Sequence, residues 1–258
     1  MIKLVATDMD GTLLNSKKEL PSDFFDWVIN HKDIKMVIAS GRQYFSLLHE
    51  FAPIKDELLF IAENGGVVFD KGEIIYVDRM SIEDLTRVLK VIDGIKEATP
   101  ILCGTKAAYI KNPDEEHRNT AKVYYTNLVE CDNLYDVLEK DIIVKIAVNF
   151  PQNTAEKYIS KLSSLSDLGV VLSAVSWIDI SNKTESKGSA LKAIMDRYNI
   201  DSKECMAFGD YLNDYDLLLA CEESYCMENG HEELKKIAKY IAKSNDEDGV
   251  MKVLNEIR

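Results

Sequence analysis

The feature that most limits the fold of this chain lies at its start, in residues 4–12. Residues 4–7 form a short apolar run, and the sequence DMDGT follows directly at residues 8–12. A short apolar run closed by a glycine-containing turn indicates a strand buried in a parallel sheet. Ligands of open α/β sheets bind at the carboxyl ends of strands, where Asp8 and Asp10 stand. In a continuous strand, their spacing of two would direct both carboxylates to the same face.

An Asp-x-Asp pair also occurs in metal-binding loops and in solvated turns, so other parts of the sequence are needed to distinguish these possibilities. Strands and helices alternate on either side of a long central stretch. The expected elements are strands at residues 4–8, 34–39, 58–62, 205–208 and 240–242, a hairpin at 67–77, and helices at 24–29, 45–51, 187–198 and from 249 onward. This alternation is typical of a doubly wound, Rossmann-like α/β domain with a parallel sheet.

The central stretch has a different pattern. Its predicted elements are helices at residues 82–92 and 154–165 and strands at 142–148 and 170–177, with a loop entering a short helix within 112–132. Such a mixture predicts an α+β insert with an antiparallel sheet. We therefore expect residues 1–81 and 184–258 to fold together as one core, interrupted by an inserted domain at residues 82–183.

The charge and the cysteines limit the partners and the compartment. A formal charge of −13 argues against a nucleic acid, which needs a basic face, and against an anionic membrane surface. The five cysteines are an odd number without zinc-finger spacing, and the first residues do not resemble a signal peptide. These features favour a reducing cytoplasm. The sequence contains no run of 18 apolar residues that would predict a membrane span.

Four strand or helix ends carry polar motifs suited to one task. These motifs are residues 8–12 (DMDGT), 40–42 (SGR), 186–188 (SKG) and 209–214 (GDYLND). In this order and spacing the chain resembles the haloacid dehalogenase superfamily phosphatases, specifically the Cof-like group with a type IIB cap between the second and third motifs. The resemblance covers the whole length, including residues 63–65 (ENG) and 245–250 (NDEDGV). It implies a catalytic core and an α/β cap that selects a small phosphorylated metabolite.

The resemblance implies catalytic roles for the first motif. Asp8 would be the nucleophile, because a carboxylate that attacks phosphorus forms an aspartyl-phosphate and divides one difficult step into two. Asp10 would protonate the departing alkoxide and later take a proton from the hydrolytic water. The alternative for Asp10 is an aspartate that only forms a turn.

The resemblance also implies a magnesium site. Asp8 and Asp210 would bind the ion together with the backbone carbonyl of Asp10, because hard cations prefer oxygen ligands. Asp214 would be a further ligand or would orient a metal-bound water. Four carboxylates and the ammonium of Lys187 leave a net charge of −3, which would repel a phosphate dianion unless a cation were bound.

Phosphate binding is expected from the second, third and fourth motifs. Ser40 and the amides of Gly41 and the next residue would hold a phosphoryl oxygen at a helix N-terminus, with a simple N-cap as the alternative for Ser40. Lys187 would neutralise the phosphate and keep the nucleophile ionised. Asn213 would donate its amide to phosphate, or else form a turn. Arg42 fits phosphate binding and an exposed helix face equally well.

Together these expectations describe a cytoplasmic, magnesium-dependent phosphatase that acts on sugar phosphates, nucleotides or cofactor phosphates. It would work as a monomer or homodimer, without nucleic acid or membrane partners. Two alternatives remain open at this stage. A phosphomutase would pass the phosphoryl group to another position of a sugar, and a non-catalytic sensor would bind a phosphorylated ligand without turnover.

Overall fold

The computed structural model describes residues 1–257, without the side chains of residues 152 and 163. The chain forms two compact units. The core unit comprises Met1–Val77 and the chain from Ser186 onward, and the inserted unit is Asp78–Glu185. The predicted cap, residues 82–183, lies within the inserted unit. No helix in residues 1–257 is both long enough and apolar enough to cross a membrane.

The strands are numbered in chain order. They are β1 (Leu4–Asp8), β2 (Lys35–Ala39), β3 (Leu58–Ala62), β4 (Val67–Asp70), β5 (Glu73–Val77), β6 (Thr99–Gly104), β7 (Ala108–Lys111), β8 (Leu128–Cys131), β9 (Ile143–Asn149), β10 (Gly169–Ala174), β11 (Trp177–Ser181), β12 (Cys205–Gly209), β13 (Glu223–Met227) and β14 (Tyr240–Ala242).

The α-helices are α1 (Phe24–Asn30), α2 (Tyr44–Glu50), α3 (Ile82–Asp93), α4 (Glu115–Tyr124), α5 (Lys187–Tyr198), α6 (Tyr215–Ala220), α7 (Glu232–Ile237) and α8 (Gly249–Leu254). Short 3-10 helices lie at Ala52–Glu57, Glu63–Gly65, Leu134–Val137, Pro151–Asn153, Ala155–Leu165, Ser202–Glu204, Leu212–Asp214 and Asn245–Glu247.

The core unit is built on an eight-stranded sheet in the order β14-β13-β12-β1-β2-β3-β4-β5. The strands from β14 to β3 in this order are parallel, whereas β4 and β5 add an antiparallel edge. The doubly wound α/β fold is therefore confirmed, and so is the predicted hairpin. Because β1 lies between β2 and β12, the carboxyl end of β1 is near the middle of the sheet.

Both faces of the core sheet are covered. On one face, residues of β1, β2 and β3 pack against Leu191 and Ile194 of α5 and Leu217 of α6. The other face includes an aromatic group in which Phe51 contacts Phe24 and Phe60 edge-on or tilted, with ring centroids 6.1 and 6.0 Å away. Strands buried on both faces read as continuous apolar runs, which is why the sequence identified β1, β2, β3 and β12 but not β13, whose sequence ESYCM is interrupted by polar residues.

The inserted unit contains a six-stranded sheet in the order β10-β11-β9-β6-β7-β8. Its neighbouring strands are antiparallel except for the parallel pair β7 and β8. Side chains of α3 and of Ala155–Leu165 belong to the apolar cluster of one face, while Ala121 and Tyr125 belong to the cluster of the other.

One prediction within the inserted unit was wrong, and a second differs only in the type of helix. The single strand predicted at residues 170–177 is a hairpin, because the chain turns between Ala174 and Trp177 and continues as β11. Val175 and Ser176 form this turn without glycine or proline, so the apolar alternation continues through it. The helix predicted at residues 154–165 is a 3-10 helix over Ala155–Leu165.

Candidate active site

A buried lysine lies at the centre of the site. The Nζ atom of Lys187 donates to Asp8 Oδ1 at 2.5 Å and to Asp214 Oδ1 at 2.7 Å. Lys187 has no exposed surface, and the side chains of Asp8 and Asp214 are 8% and 0% exposed. Charge-assisted hydrogen bonds of this kind are stronger than neutral ones and fix the orientation of each carboxylate.

Close backbone packing explains how an ammonium can be buried here. Lys187 is the first residue of α5, and the side chain of Ser186 caps that helix by accepting from Ser189 N. A Cβ atom on Gly65 would lie 2.1 Å from Ser186 O, and one on Gly188 would lie 2.3 Å from Asp216 O. Glycine at both positions lets neighbouring segments press against the start of α5 and enclose the lysine.

The fourth motif places two more carboxylates beside this pair. Asp214 Oδ2 accepts from the backbone amides of Asp210 and Tyr211 at 3.0 and 3.1 Å, while its Oδ1 faces Lys187. Asp210 Oδ1 accepts from the hydroxyl of Thr12 at 3.2 Å. Both oxygens of Asp214 are therefore engaged within the protein, which fits an orienting role for it better than a direct ligand role.

Burial and mutual repulsion change the acidity of this cluster. Burial, reinforced by the Asp214 carboxylate, raises the pKa of Asp8 to about 7. The same two causes raise the pKa of Asp210 to about 6. Burial alone would lower the pKa of Lys187, but the carboxylates of Asp214 and Asp8 outweigh it and raise that pKa above its ordinary range.

The donor set fits a divalent cation. Each of Asp8, Asp210 and Asp214 offers a carboxylate oxygen, and these oxygens lie within 4.8 Å of one another. Asp8 Oδ2 is buried and accepts no hydrogen bond from the described residues. Three carboxylates and one ammonium leave two negative charges, which a divalent cation would balance. Oxygen-only donors favour a hard cation over zinc or copper.

Asp10 has a different environment from the one its spacing implied. Because β1 ends at Asp8, Asp10 lies in the following turn. Its carboxylate accepts from Arg42 Nε and Nη2 at 2.9 and 2.7 Å and from Lys18 Nζ at 2.8 Å. Burial on its own would raise the pKa of Asp10, but the hydrogen bonds from Arg42 and Lys18 outweigh it and lower that pKa. Asp10 is thus ionised in this arrangement.

The expected phosphate-binding residues surround Asn64. Asn64 Oδ1 accepts from Asn213 Nδ2 at 3.1 Å, and Asn64 N donates to Ser40 O at 3.0 Å. A Cβ atom on Gly41 would lie 3.0 Å from Asn64 Oδ1, so this residue also contacts the second motif.

Ser40 lies further from its helix than the sequence implied. Ser40 is buried, and its Oγ accepts from Arg42 N at 3.2 Å. Helix α2 begins only at Tyr44 and Gln43 stands at its N-cap, so the N-cap alternative for Ser40 was wrong. The amide of Arg42, one of the two expected phosphate donors, is occupied by the Ser40 hydroxyl.

Sequence reasoning assigned no role to Lys18 or Asn64 and left Arg42 open between two. The triplet ENG at residues 63–65 belongs to the resemblance and is the one sequence signal for Asn64. Nothing in the sequence marks Lys18, which reaches Asp10 from eight residues further along the chain.

Known proteins match this chain over nearly its whole length. A family model of haloacid dehalogenase-like hydrolases matches residues 5–254. The 5-amino-6-(5-phospho-D-ribitylamino)uracil phosphatase YbjI of Escherichia coli is 32% identical over 262 residues, which cover 99% of this chain and 96% of that protein. TM0651 from Thermotoga maritima, a solved structure, shares 25% identity with a TM-score of 0.89, covering 100% of this chain and 98% of that one.

The haloacid dehalogenase subclass IIB sugar phosphatase BT4131 has the same fold, with a TM-score of 0.80 at 20% identity and 98% of each chain covered. The core unit is doubly wound, is interrupted by an α/β unit, and brings carboxylates and a lysine together at the carboxyl ends of its strands. This architecture is that of the haloacid dehalogenase hydrolases. The chain belongs to the haloacid dehalogenase-like hydrolase family. Its inserted unit agrees with the Cof-like group, which carries a type IIB cap.

Proposed function

We propose that this hydrolase is a magnesium-dependent phosphatase that cleaves small phosphorylated metabolites through an aspartyl-phosphate on Asp8. The observation that carries the proposal is the buried Asp8 carboxylate, with one oxygen held by Lys187 at 2.5 Å and the other accepting no hydrogen bond from the residues that the structure describes. A carboxylate held in this way has a fixed direction, and its two oxygens can serve the two proposed roles, one binding the cation and the other attacking phosphorus.

In the first step, Asp8 attacks the phosphorus while the bond between phosphorus and the ester oxygen breaks. Asp10 gives its proton to the departing alkoxide, a contribution worth about 10²–10⁴-fold. Because Arg42 and Lys18 hold Asp10 ionised in the structure, these ion pairs have to open before Asp10 can carry that proton.

In the second step, water attacks the phosphorus of the aspartyl-phosphate, and Asp10 takes a proton from that water. The bond between phosphorus and Asp8 breaks, which releases inorganic phosphate and restores the carboxylate. Lys187 remains beside Asp8 and offsets the negative charge that develops on the phosphoryl oxygens.

Asp8 and Asp210, with the backbone carbonyl of Asp10, would hold Mg²⁺, and Asp214 would orient the site. Bound there, Mg²⁺ would neutralise charge on the phosphoryl group. Ser40, Gly41 and Asn213 would bind the remaining phosphoryl oxygens.

The substrate class is proposed from the relatives. The matched Escherichia coli protein is named as a phosphatase of a phosphoribitylamino-uracil, which is a small phosphorylated metabolite. We extend that class to this chain as sugar phosphates, nucleotides or cofactor phosphates, selected by the predicted cap at residues 82–183. We propose a cytoplasmic location, since none of the five cysteines forms a disulfide in the described residues, and a monomer or homodimer as the assembly.

Hydrolysis of p-nitrophenyl phosphate tests the proposal. We expect Mg²⁺-dependent release of phosphate that EDTA abolishes and that falls by more than about 10³-fold in Asp8→Asn, since the nucleophile is lost. Asp201→Asn, at an exposed position outside the cluster, is the matched control and should retain wild-type turnover. Turnover without a divalent cation, or full activity in Asp8→Asn, would refute the proposal.

A further inference from the structure

The turn that carries Asp10 has little regular structure of its own. Beyond β1 it is joined to itself by one bridge between Asp10 and Leu14 and by the bond from Leu14 N to Met9 O at 2.8 Å. Gly11 within it has a φ of +86°, a conformation that side chains rarely adopt. Arg42 and Lys18 hold the carboxylate of Asp10, but the backbone of the turn depends largely on bonds from outside it.

Side chains from the far end of the chain supply that support. Asn229 Nδ2 donates to Gly11 O at 2.8 Å, and Asn245 Nδ2 donates to Leu14 O at 2.9 Å. Asp246 accepts from both the amide and the hydroxyl of Ser16, each at 2.7 Å. These bonds contact the turn along its whole course after Asp10.

The supporting residues are also joined to one another. Asn229 Oδ1 accepts from Asn245 N at 3.1 Å, and Glu228 N donates to Ala242 O at 2.9 Å. Asn229 follows β13 and Asn245 follows β14, so both stand at the carboxyl ends of parallel strands. The sheet that carries Asp8 thus also carries the residues that hold the turn of Asp10.

We propose that Asn229 is a positioning residue for the acid–base step, because its bond to Gly11 fixes the position of the neighbouring Asp10. Asn245 and Asp246 support the same turn. This inference rests on the proposed function, in which Asp10 protonates the leaving group. Asn229 is exposed, so its bond to Gly11 contributes little to folding. A small displacement of a reacting group, in contrast, lowers a rate strongly.

Leaving groups of different basicity separate positioning from a general structural role. The p-nitrophenolate ion departs without a proton, whereas the alkoxide of glycerol 2-phosphate has to receive one. The kcat/KM value reports the steps up to leaving-group departure. We expect Asn229→Ala to lower kcat/KM about tenfold or more for glycerol 2-phosphate but less than about threefold for p-nitrophenyl phosphate. The melting temperature should change by less than about 3 °C.

The matched control is Asn255→Ala, which removes another exposed amide, bonded to Asp23 and not to the turn. It should leave the ratio of the two kcat/KM values unchanged. The double variant Asp10→Asn/Asn229→Ala should show the same ratio as Asp10→Asn alone, because residues that act through one another are not additive. Asp246→Ala, which removes both contacts with Ser16, should change the ratio of the two kcat/KM values in the same direction as Asn229→Ala. It replaces Asn229→Ala as the test if that variant does not fold.

Equal losses on both substrates in Asn229→Ala, or additive losses in the double variant, would overturn the inference while leaving the proposed function intact. If Asp10→Asn itself left the ratio unchanged, the acid role of Asp10 would be wrong, and the inference would fall with it. The two failures are therefore distinguishable in one set of measurements.

Discussion

At the scale of single residues, the site depends on the buried ammonium group of Lys187. Lys187 donates to two carboxylates that are themselves almost entirely buried. A lysine at the first position of a helix is unfavourable for the helix dipole, so its presence there indicates another purpose. Burial raises the pKa of Asp8, and the ammonium of Lys187 opposes that rise; its hydrogen bond to Asp214 fixes the direction of the second carboxylate.

Replacing this lysine by an apolar residue of similar size tests that role. We expect Lys187→Met to lower the free energy of unfolding by about 3–5 kcal/mol in metal-free protein at pH 8, because two buried carboxylates lose their partner. In the variant the folded state then binds more protons than the unfolded state, so stability should rise as the pH is lowered from 8 to 5. Urea unfolding at both pH values measures this.

The matched control for this prediction is Lys192→Met, which replaces an exposed lysine of the same helix. It should change the free energy of unfolding by less than about 0.5 kcal/mol at either pH. If Lys187→Met were equally harmless, or equally unstable at pH 5 and pH 8, the ion pairs would not stabilise the fold as we infer.

At the scale of elements, the site depends on how closely α5 approaches its neighbours. Helix α5 packs against α6 and against the 3-10 helix Glu63–Gly65. Glycines at positions 65 and 188 make these contacts backbone to backbone. The same contacts enclose Lys187, so helix packing and the chemistry of the site are linked.

Adding a methyl group to Gly188, where α5 contacts α6, tests this link. A second glycine variant, which has strain but no clash, separates the steric effect from the conformational one. Gly188→Ala is expected to lower the free energy of unfolding by about 1–3 kcal/mol, because the added Cβ would lie 2.3 Å from Asp216 O. Turnover should fall as well, since α5 has to move with Lys187. Gly72→Ala serves for comparison: its φ of +84° predicts strain of about 1 kcal/mol, but its Cβ meets no atom within 4 Å, so turnover should persist. Wild-type turnover in Gly188→Ala would contradict the link.

Elements were predictable from the sequence where each carried a local signal. Strands β1, β2, β3 and β12 appeared as apolar runs, and the hairpin of β4 and β5 was marked by Gly72, whereas β13 was not predicted because Glu223 and Ser224 interrupt its apolar run. The hairpin between β10 and β11 was missed because Val175 and Ser176 interrupt no pattern. Local signals therefore explain both the successes and this failure.

The site was predictable to the extent that strand ends meet at one edge of a sheet. Together with the resemblance, this rule predicts that Asp8, Asp210 and Asp214 lie close to one another. No such rule predicts the contacts of long side chains or of residues that are far apart in sequence. The pairing of Arg42 with Asp10, across 32 positions, depends on rotamers and on the path of a turn. Its consequence, an ionised Asp10, required the structure.

At the scale of the whole molecule, a chain with a charge of −13 gathers three carboxylates around one lysine. The two uncompensated negative charges oppose folding of the metal-free protein and favour it when a divalent cation is bound. Stability should therefore depend on Mg²⁺ apart from any effect on catalysis.

Thermal unfolding measures this dependence. At a Mg²⁺ concentration of 100 times its Kd, binding adds about 2.7 kcal/mol, which should raise the melting temperature by about 5–10 °C. Asp210→Asn should melt higher than the wild type in EDTA, because one repelling charge is gone, and should gain little from Mg²⁺. The exposed variant Asp201→Asn should behave as the wild type does. An equal Mg²⁺ response in Asp210→Asn would place the cation elsewhere.

The position of β1 in the sheet has a consequence for how the protein is made. Val5 pairs with Met36 on one side and with Met206 on the other. A nascent polypeptide leaving the ribosome therefore exposes one open edge of its first strand until some two hundred residues have emerged. The inserted unit is continuous in sequence and meets no such delay. Until β12 has been made, this strand edge stays unpaired, and an unpaired edge favours contact with other chains.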